Sequence, residues 1–211
     1  MKIQLIDRNQ EMCNQWKLQF KDCNDVVIHC GDYFSLETEC IVSPANSFGF
    51  MDGGIDYAIM CYYENNYNID IEQKVKYRIE HDFEGELLVG QGCFLDLSSR
   101  YSKTEAPSLI VAPTMRVPMK LSNDSVNVYL SMKAILNKLK FLQNFSTCLN
   151  SVSISGLGTG VGEVPYDICA LQMKQAYNDV WLNEYTMPNT FEEAQKRHQL
   201  LYSNEFKDLQ F

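Results

Sequence analysis

Strand-like and helix-like patterns of hydrophobic residues alternate along most of this chain. Short apolar runs, typical of buried strands, occur at residues 2–6, 26–30, 40–43, 89–97, 108–112 and 151–154. Between these runs, apolar residues recur every three or four positions, which predicts helices over residues 9–20, 55–67, 71–83, 123–141 and 165–181. Because strands that alternate with helices are typical of an α/β layered domain, we predict a central sheet covered by helices.

The last part of the chain, residues 186–211, has a different pattern. Thr190 and Glu193 form the sequence signature of a capping box, and the residues that follow are rich in Glu, Gln and Lys. We therefore expect a C-terminal helical extension that packs on the surface of the main domain, residues 1–185. The side chains expected to make this contact are Phe191, Leu200, Leu201 and Tyr202.

The length and charge of the chain restrict the classes of function. A chain of 211 residues is long enough for one substantial core, so a single main domain is expected. The formal net charge of -9 argues against broad nucleic-acid binding, which requires a basic surface. A small anionic ligand remains compatible with this charge, because backbone N–H groups at a helix N-terminus can bind phosphate without lysines.

The cysteine pattern and the N-terminus indicate a cytoplasmic protein. The eight cysteines lie in apolar segments and include no CxxC pair, which is typical of reduced thiols. The N-terminus lacks the apolar core of a signal peptide, and no apolar run approaches the roughly 18 residues that a membrane span requires. We therefore expect no contact with a membrane. The cysteines are Cys13, Cys23, Cys30, Cys40, Cys61, Cys93, Cys148 and Cys169.

Two glycine-rich segments carry the candidate chemistry. The first loop segment, residues 41–56, runs from a buried strand through Asn46 and a glycine-rich turn to Asp56, near the start of a helix. The second loop segment, residues 153–165, runs from a strand through a glycine-rich turn to Pro165, a residue favoured at the start of a helix. Such turns leave backbone N–H groups free to bind an anion, and two of them can hold one ligand.

Each polar residue near these segments also has a structural interpretation. Asn46 could stabilise a turn, and Asp56 could complement the dipole of its helix. Asp32, which follows a predicted strand, could cap a turn or accept a hydrogen bond from an adenine amino group. A single glycine-rich turn is also common as a simple chain reversal, so both interpretations remain open when each residue is taken alone.

Other kinds of site are not indicated. His29, His81 and His198 are far apart and lack metal-ligand spacing, so neither a metal nor another cofactor is expected. The sequence contains no GxSxG nucleophile motif and no GxxxxGK[ST] phosphate loop. The candidate chemistry is therefore confined to the two loop segments and Asp32.

Taken together, these segments resemble the macrodomain family, whose members are ADP-ribose-binding modules. The resemblance extends over residues 1–185 and implies a three-layer α/β/α sandwich with a mixed central sheet. The matching stretches are Gly31-Asp32, Ile41-Val42-Ser43-Pro44-Ala45-Asn46, Gly53-Gly54-Ile55-Asp56-Tyr57-Ala58-Ile59, Ile110-Val111-Ala112-Pro113-Thr114 and Ile154 to Pro165.

The resemblance also implies a role for each matching residue. Asp32 would bind the adenine amino group. Ala45 would contact the ligand, and the neighbouring Asn46 would bind the distal ribose. Asp56 matches the acid that orients or activates water in hydrolytic members. The residues expected to line the distal ribose and the phosphates are Gly53, Gly54 and Ile55, and those expected to hold the diphosphate are Gly158, Thr159, Gly160, Val161 and Gly162.

The chain departs from the family's pattern in three places. Ser43-Pro44-Ala45-Asn46 replaces the common Asn-Ala-Ala-Asn, so a proline stiffens the strand end. Gly162-Glu163 stands where many members have an aromatic residue. One branch of the family uses a catalytic lysine soon after a methionine, but the matching position is Gly53, so a lysine mechanism is not supported. Phe48 and Phe50 are candidates to cover the ribose or to join the core.

The function implied by the resemblance is hydrolysis of an ADP-ribosyl linkage, with Asp56 and Asn46 as the catalytic residues. Asp52 is a secondary candidate for the acid. The expected partner is ADP-ribose or an ADP-ribosylated substrate, and the pattern leaves the oligomeric state open. Two alternatives are a non-catalytic reader that binds or sequesters ADP-ribose or a related nucleotide signal, and a phosphatase that acts on ADP-ribose 1″-phosphate.

Overall fold

The computed structural model of the protein describes residues 1–97, 106–144 and 149–209. These ranges contain six strands and six α-helices, in the order that the hydrophobic pattern predicts. The strands are β1 (Lys2–Asp7), β2 (Val26–Cys30), β3 (Cys40–Ser43), β4 (Cys93–Leu95), β5 (Ser108–Val111) and β6 (Ser151–Ile154). The helices are α1 (Gln10–Gln19), α2 (Gly54–Tyr67), α3 (Ile71–Asp82), α4 (Asn127–Asn144), α5 (Tyr166–Ala176) and α6 (Phe191–Gln199).

The strands form one mixed sheet with the order β2-β1-β6-β3-β5-β4. All neighbouring strands are parallel except β4, which pairs with β5 in the antiparallel direction. Apolar side chains of α1, α4 and α5 pack on one face of the sheet. Those of α2 and α3 pack on the other face. The predicted α/β fold with a mixed central sheet between helical layers is therefore confirmed.

Several elements differ in length from the hydrophobic pattern. Strand β4 is shorter than the predicted run at residues 89–97, because residues 88–91 form a turn in which Gln91 N–H donates to the Leu88 carbonyl at 2.9 Å. Helix α4 begins at Asn127 rather than near residue 123, because residues 122–125 form another turn. After α5 the chain continues in one π-helical turn, Tyr177–Trp181.

The C-terminal segment contains helix α6, and the side chains buried there are only partly the expected ones. The Thr190 hydroxyl accepts a hydrogen bond from Glu193 N–H at 3.1 Å, which caps α6. Gln199 and Leu201 are buried, whereas Phe191 and Leu200 are exposed, so the expected contact through those two residues is wrong. Because the Gln199 side-chain amide pairs with both the N–H and the carbonyl of Lys207, its polar atoms are satisfied where they are buried.

Two strands separate at the centre of the sheet. β3 and β6 pair only as far as Ile41 and Ser153, whereas β3 and β5 pair as far as Ser43. The hydroxyl of Tyr33, a buried residue, lies where the pairing stops, 2.8 Å from the Val42 carbonyl and 2.7 Å from the Ser153 carbonyl. It also accepts a hydrogen bond from Val42 N–H at 3.3 Å. One side-chain hydroxyl therefore bridges two strands that open toward their carboxyl ends.

The cysteines of the described ranges carry free thiols. Seven cysteines carry free thiols: Cys13, Cys40, Cys93 and Cys169 are buried, Cys23 and Cys61 are half-buried, and Cys30 is exposed. Cys148 lies outside the described residues. Within the described ranges, no helix combines the length and the apolar character needed to cross a membrane.

Replacement of Tyr33 by Phe tests the bridge between β3 and β6. The substitution removes the hydroxyl but leaves the buried Val42 N–H without that partner, so we expect the free energy of unfolding to fall by about 1–3 kcal/mol. Urea denaturation measures the change. Tyr77→Phe is the matched control, because the Tyr77 side chain is largely exposed. Equal stabilities of the two variants would show that the bridge contributes little.

Candidate functional site

The sequence-predicted site residues gather at one edge of the sheet. The carboxyl ends of parallel strands lie together, and each candidate segment follows one of them. Asp32 follows β2, the second loop segment leaves β6, and the first loop segment leaves β3. Since β1 and β6 lie between β2 and β3, the three parts form a row along this edge. Ligands of open α/β sheets bind at such carboxyl edges.

Asn46 organises the first loop segment. The side chain is buried, and its Nδ2 donates to the Phe50 carbonyl at 2.7 Å. Its Oδ1 accepts from the N–H groups of Phe48 and Phe50 at 3.1 and 3.3 Å. The backbone of Asn46 also bridges to Met115, which follows β5. In this structure the amide therefore serves its own loop, which is the structural interpretation that the sequence left open.

The two aromatic residues of this loop lie near cations rather than inside the core. Phe50 is half exposed, and the Lys76 ammonium lies 4.0 Å from the centre of its ring. Phe48 is half-buried, and the guanidinium of Arg116 lies 5.1 Å from its ring centre. Of the two interpretations offered for these residues, the core role does not describe Phe50.

The start of α2 offers unpaired donors. Gly53 occupies the N-cap position and cannot supply a capping side chain. The backbone N–H groups of Gly54, Ile55 and Asp56 donate to no other group of the described chain. A Cβ atom at Gly53 or Gly54 would meet no atom within 4 Å, so the surface beside these donors is open. A helix N-terminus of this kind favours a negatively charged ligand.

Asp56 lies in the first turn of α2, and its carboxylate is held from the strand end. The buried hydroxyl of Ser43 donates to Asp56 Oδ1 at 2.7 Å, and Ala45 N–H is a second donor. Burial raises the pKa of the Asp56 carboxyl to about 6, because desolvation opposes the charged form more than these two donors favour it. Asp52, the secondary candidate, is exposed. Of the two candidate acids, Asp56 is therefore the one whose carboxylate is held by neighbouring groups of the fold.

The second loop segment presents a run of backbone donors. The N–H groups of residues 158–162 form no hydrogen bond with the rest of the described chain. The loop keeps its shape through bonds from Val164 N–H to the Gly158 carbonyl and from Glu163 N–H to the Gly160 carbonyl. Gly158 has φ +69, and a Cβ at Gly162 would lie 2.5 Å from the Gly158 carbonyl oxygen. Glycine is therefore required at both positions.

The two loop segments meet beside Met115. Its backbone bridges to Asn46, and its methyl group would lie 3.2 Å from a Cβ at Gly162. The donors of the second loop segment and those at the start of α2 therefore flank the same stretch of the sheet edge. Glu163, near the end of the second loop segment, has φ +51, and its carboxylate pairs with the exposed Lys120 at 2.6 Å.

Asp32 lies at the other end of the row. Its carboxylate accepts hydrogen bonds from the Arg8 guanidinium and, at 2.9 Å, from Phe34 N–H. The hydrogen bond from Arg8 and then that from Phe34 lower the pKa of the Asp32 carboxyl. The side chain stays partly exposed. Asp32 therefore fits both interpretations: it caps a turn, and its carboxylate is an ionised acceptor at the sheet edge.

Three residues of the site were given no role from the sequence. Asp7, the last residue of β1, links the start of α1 to the second loop segment. Its carboxylate accepts hydrogen bonds from Asn9 N–H at 2.8 Å and from Gly156 N–H at 3.2 Å. Tyr33 bridges the separated strands, and Ser43 holds Asp56. The available signal was a polar residue at the end of an otherwise apolar strand, as at Asp7 and Ser43.

Within the part of the chain that the structure describes, no metal cluster marks the site. Among the described residues, no three His, Cys, Asp or Glu side chains are grouped so that they could hold a metal ion. Two open surface grooves, of about 770 and 940 Å³, are lined by residues 119–127 and by residues of α3 and 94–97. Both lie outside the two loop segments. The site is therefore identified by its polar groups.

The chain matches a known family and one curated relative. The sequence model of the family described as "Macro-like domain" matches residues 10–203. An uncharacterized protein from Aquifex aeolicus (strain VF5) is 29% identical over 150 residues, which cover 71% of this chain and 78% of that protein.

The fold is similar to solved macrodomain structures. The macrodomain of Mycobacterium tuberculosis DarG superposes with a TM-score of 0.55 at 18% identity and covers 71% of this chain and 87% of its own. Thermosipho africanus DarTG in complex with ADP-ribose gives 0.53 at 15% identity, covering 87% of this chain and 50% of its own. A variant of the Oceanobacillus iheyensis macrodomain with ADPR gives 0.52 at 18% identity, covering 69% and 72%. At these identities the likeness concerns the fold.

The pKa of Asp56 predicts a pH-dependent contribution to stability. Because the folded state raises this pKa to about 6, the carboxyl favours folding most below about pH 4, and that contribution is lost as the pH rises through 6. Asp56→Asn removes the titration. Relative to wild type, the free energy of unfolding of the variant should therefore rise by about 1–3 kcal/mol between pH 4 and pH 8. Urea denaturation across this range measures it, and a constant difference would contradict it.

Proposed function

The chain belongs to the macro-like domain family, and from this premise we propose that it binds ADP-ribose along the carboxyl edge of its sheet and hydrolyses an ADP-ribosyl linkage there. One observation carries the proposal. Two sets of unpaired backbone N–H groups, residues 54–56 and 158–162, flank a stretch of the edge that also holds the half-buried Asp56. An anion-binding surface and a carboxylate with a raised pKa thus occur together.

The ligand would lie along the row of strand ends. The diphosphate would contact the free donors of the second loop segment and the start of α2, which neutralise charge without cations. This arrangement suits a protein with a formal net charge of -9. The adenine would lie toward the ionised Asp32, and the distal ribose toward Ala45, Asn46 and Asp56. Similar structures that carry ADP-ribose support this choice of ligand.

The hydrolytic step requires little beyond positioning. In the proposed reaction, Asp56 orients a water molecule and accepts its proton while the oxygen attacks the anomeric carbon. The bond from that carbon to the departing group breaks, and the departing group takes up a proton from solvent. A carboxyl with a pKa of about 6 is ionised near neutral pH yet remains a stronger base than an ordinary aspartate. This balance suits a general base.

One observation favours the second candidate function, a non-catalytic reader. The Asn46 amide, which the hydrolytic proposal assigns to the distal ribose, is occupied by hydrogen bonds within its own loop. If these bonds persist with ligand bound, the loop holds the ribose through its backbone, and the ribose is less tightly positioned for attack. Binding would then occur without turnover.

Asp56→Ala separates the two functions. If the hydrolytic proposal is right, the variant should keep its affinity for ADP-ribose within about threefold and lose at least about a hundredfold in turnover, the usual contribution of a positioned base. Calorimetry with ADP-ribose and release of ADP-ribose from a modified protein measure the two quantities. Tight binding by wild type without any release favours the reader. Absence of binding by wild type would defeat both functions.

Glycine replacement tests the binding surface. A Cβ at Gly160 would meet no atom within 4 Å, so Gly160→Ala should fold normally. The added methyl group would project from the loop whose N–H groups we assign to the diphosphate, so the Kd for ADP-ribose should rise at least about tenfold, equivalent to roughly 1.4 kcal/mol.

The control for this experiment is Gly85→Ala. Gly85 has equally open surroundings, but it lies after α3 and outside both loop segments. Because φ at Gly85 is +88, this substitution should cost some stability but no affinity. An unchanged Kd in Gly160→Ala would remove the second loop segment from the binding site.

A further inference from the structure

Ser43 links the end of strand β3 to the first turn of helix α2. It is the last residue of β3, is buried, and is fixed in the sheet by pairing with Val111 and by a hydrogen bond from Ala112 N–H to its carbonyl at 3.0 Å. Its hydroxyl reaches Asp56 Oδ1, 2.7 Å away on the first turn of α2. A strand therefore holds the carboxylate that a helix presents, which restricts both its position and its rotation.

The hydrogen bond from Ser43 affects the charge of Asp56, because it is one of the few interactions that act on this carboxylate. The groups that act on the carboxylate are the Ser43 hydroxyl and Ala45 N–H, while burial opposes its ionisation. The charge of Asp56 also contributes, after burial, to the raised pKa of the buried Tyr33, on the chain between β2 and β3. No lysine, arginine or histidine of the described residues pairs with Asp56. Without a paired cation among the described residues, these hydrogen-bond donors and the N-terminus of α2 stabilise the ionised form.

The hydrogen bond from Ser43 also fixes the direction in which the Asp56 carboxylate can bind a water molecule. Among the described residues, Ser43 is the side chain that donates to the Asp56 carboxylate, at Oδ1, and Ala45 N–H is the backbone donor to the same group. A carboxylate that is fixed through one oxygen can direct the other at a water molecule with a defined geometry. The same hydrogen bond favours the ionised form, which is the form that can accept a proton.

We propose that Ser43 is a positioning residue for the hydrolysis of the ADP-ribosyl linkage: its hydroxyl orients the Asp56 carboxylate and keeps it ionised at neutral pH. The inference rests on the proposed hydrolytic function and deepens it. Ser43 itself forms no bond to the substrate and transfers no proton. Its effect on the reaction passes through Asp56.

A graded series of substitutions tests the inference. Ser43→Ala removes the donor, and Ser43→Cys keeps nearly the same shape with a weaker donor. The pKa of Asp56, followed by NMR of the labelled carboxyl without ligand, should rise by about one unit in Ser43→Ala and by less in Ser43→Cys. The acidic limb of the pH profile of kcat/KM should move to higher pH by the same amount, so that kcat/KM near pH 6 falls about fivefold and largely recovers near pH 9.

The control is Ser131→Ala. Ser131 is also buried and donates through its hydroxyl, to the Ala112 carbonyl at 3.0 Å, but it lies on α4, which packs on the opposite face of the sheet from α2. This variant should lower stability without moving either the Asp56 pKa or the acidic limb. The affinity of both Ser43 variants for ADP-ribose should stay within about threefold of wild type, because Ser43 is not assigned a contact with the ligand.

The outcomes separate the two claims. If wild type hydrolyses a modified substrate but Ser43→Ala leaves the acidic limb and the Asp56 pKa unchanged, the role of Ser43 is refuted and the proposed function stands. A uniform loss of turnover at every pH, parallel to that in Ser131→Ala, also refutes it, since it indicates a structural effect alone. If wild type binds ADP-ribose without turnover, the hydrolytic function fails and Ser43 positions no reaction.

Discussion

The parallel direction of five strands is the constraint on which the site depends. Because β1, β2, β3, β5 and β6 run the same way, their carboxyl ends and the loops that follow them lie at one edge. Residues separated by more than a hundred positions, such as Asp7 and Gly156, are in direct contact there. The sheet also opens between β3 and β6, where Tyr33 replaces strand pairing with a side-chain bridge. The chemistry at this edge follows from what each strand end leaves exposed.

Unpaired backbone donors explain how an acidic protein can hold an anion. The N–H groups of residues 54–56 and 158–162 provide partial positive charge at fixed positions, and no basic cluster is needed. Glycine permits this exposure for two separate reasons. At Gly158 and Gly162 a side chain is excluded by the backbone conformation or by a neighbouring carbonyl, whereas at Gly53 and Gly160 the space beside the backbone is open for a ligand. The same residue type thus shapes the loop and leaves room beside it.

The acid in the site is governed by a balance between burial and hydrogen bonding. Desolvation pushes the pKa of Asp56 upward, and donors from Ser43 and Ala45 limit the rise to about 6. Asp32 shows the opposite balance, because the exposed Arg8 lowers its pKa. Two carboxylates on one sheet edge therefore have pKa values shifted in opposite directions by their surroundings. Asn46, by contrast, is committed to the shape of its loop.

The sequence by itself determined the order of the elements, the α/β class and the family, because hydrophobic periodicity and glycine spacing are local properties of the chain. It also located both loop segments and singled out Asp56. Only the tertiary structure decided which groups surround that carboxylate, since Ser43 reaches it by a contact between a strand and a helix that no spacing specifies. Packing likewise decided that α6 buries Gln199 rather than Phe191, because amide groups can be buried once the folded chain supplies their partners. Periodicity identifies apolar faces, but hydrogen bonds between distant segments exist only in the folded protein.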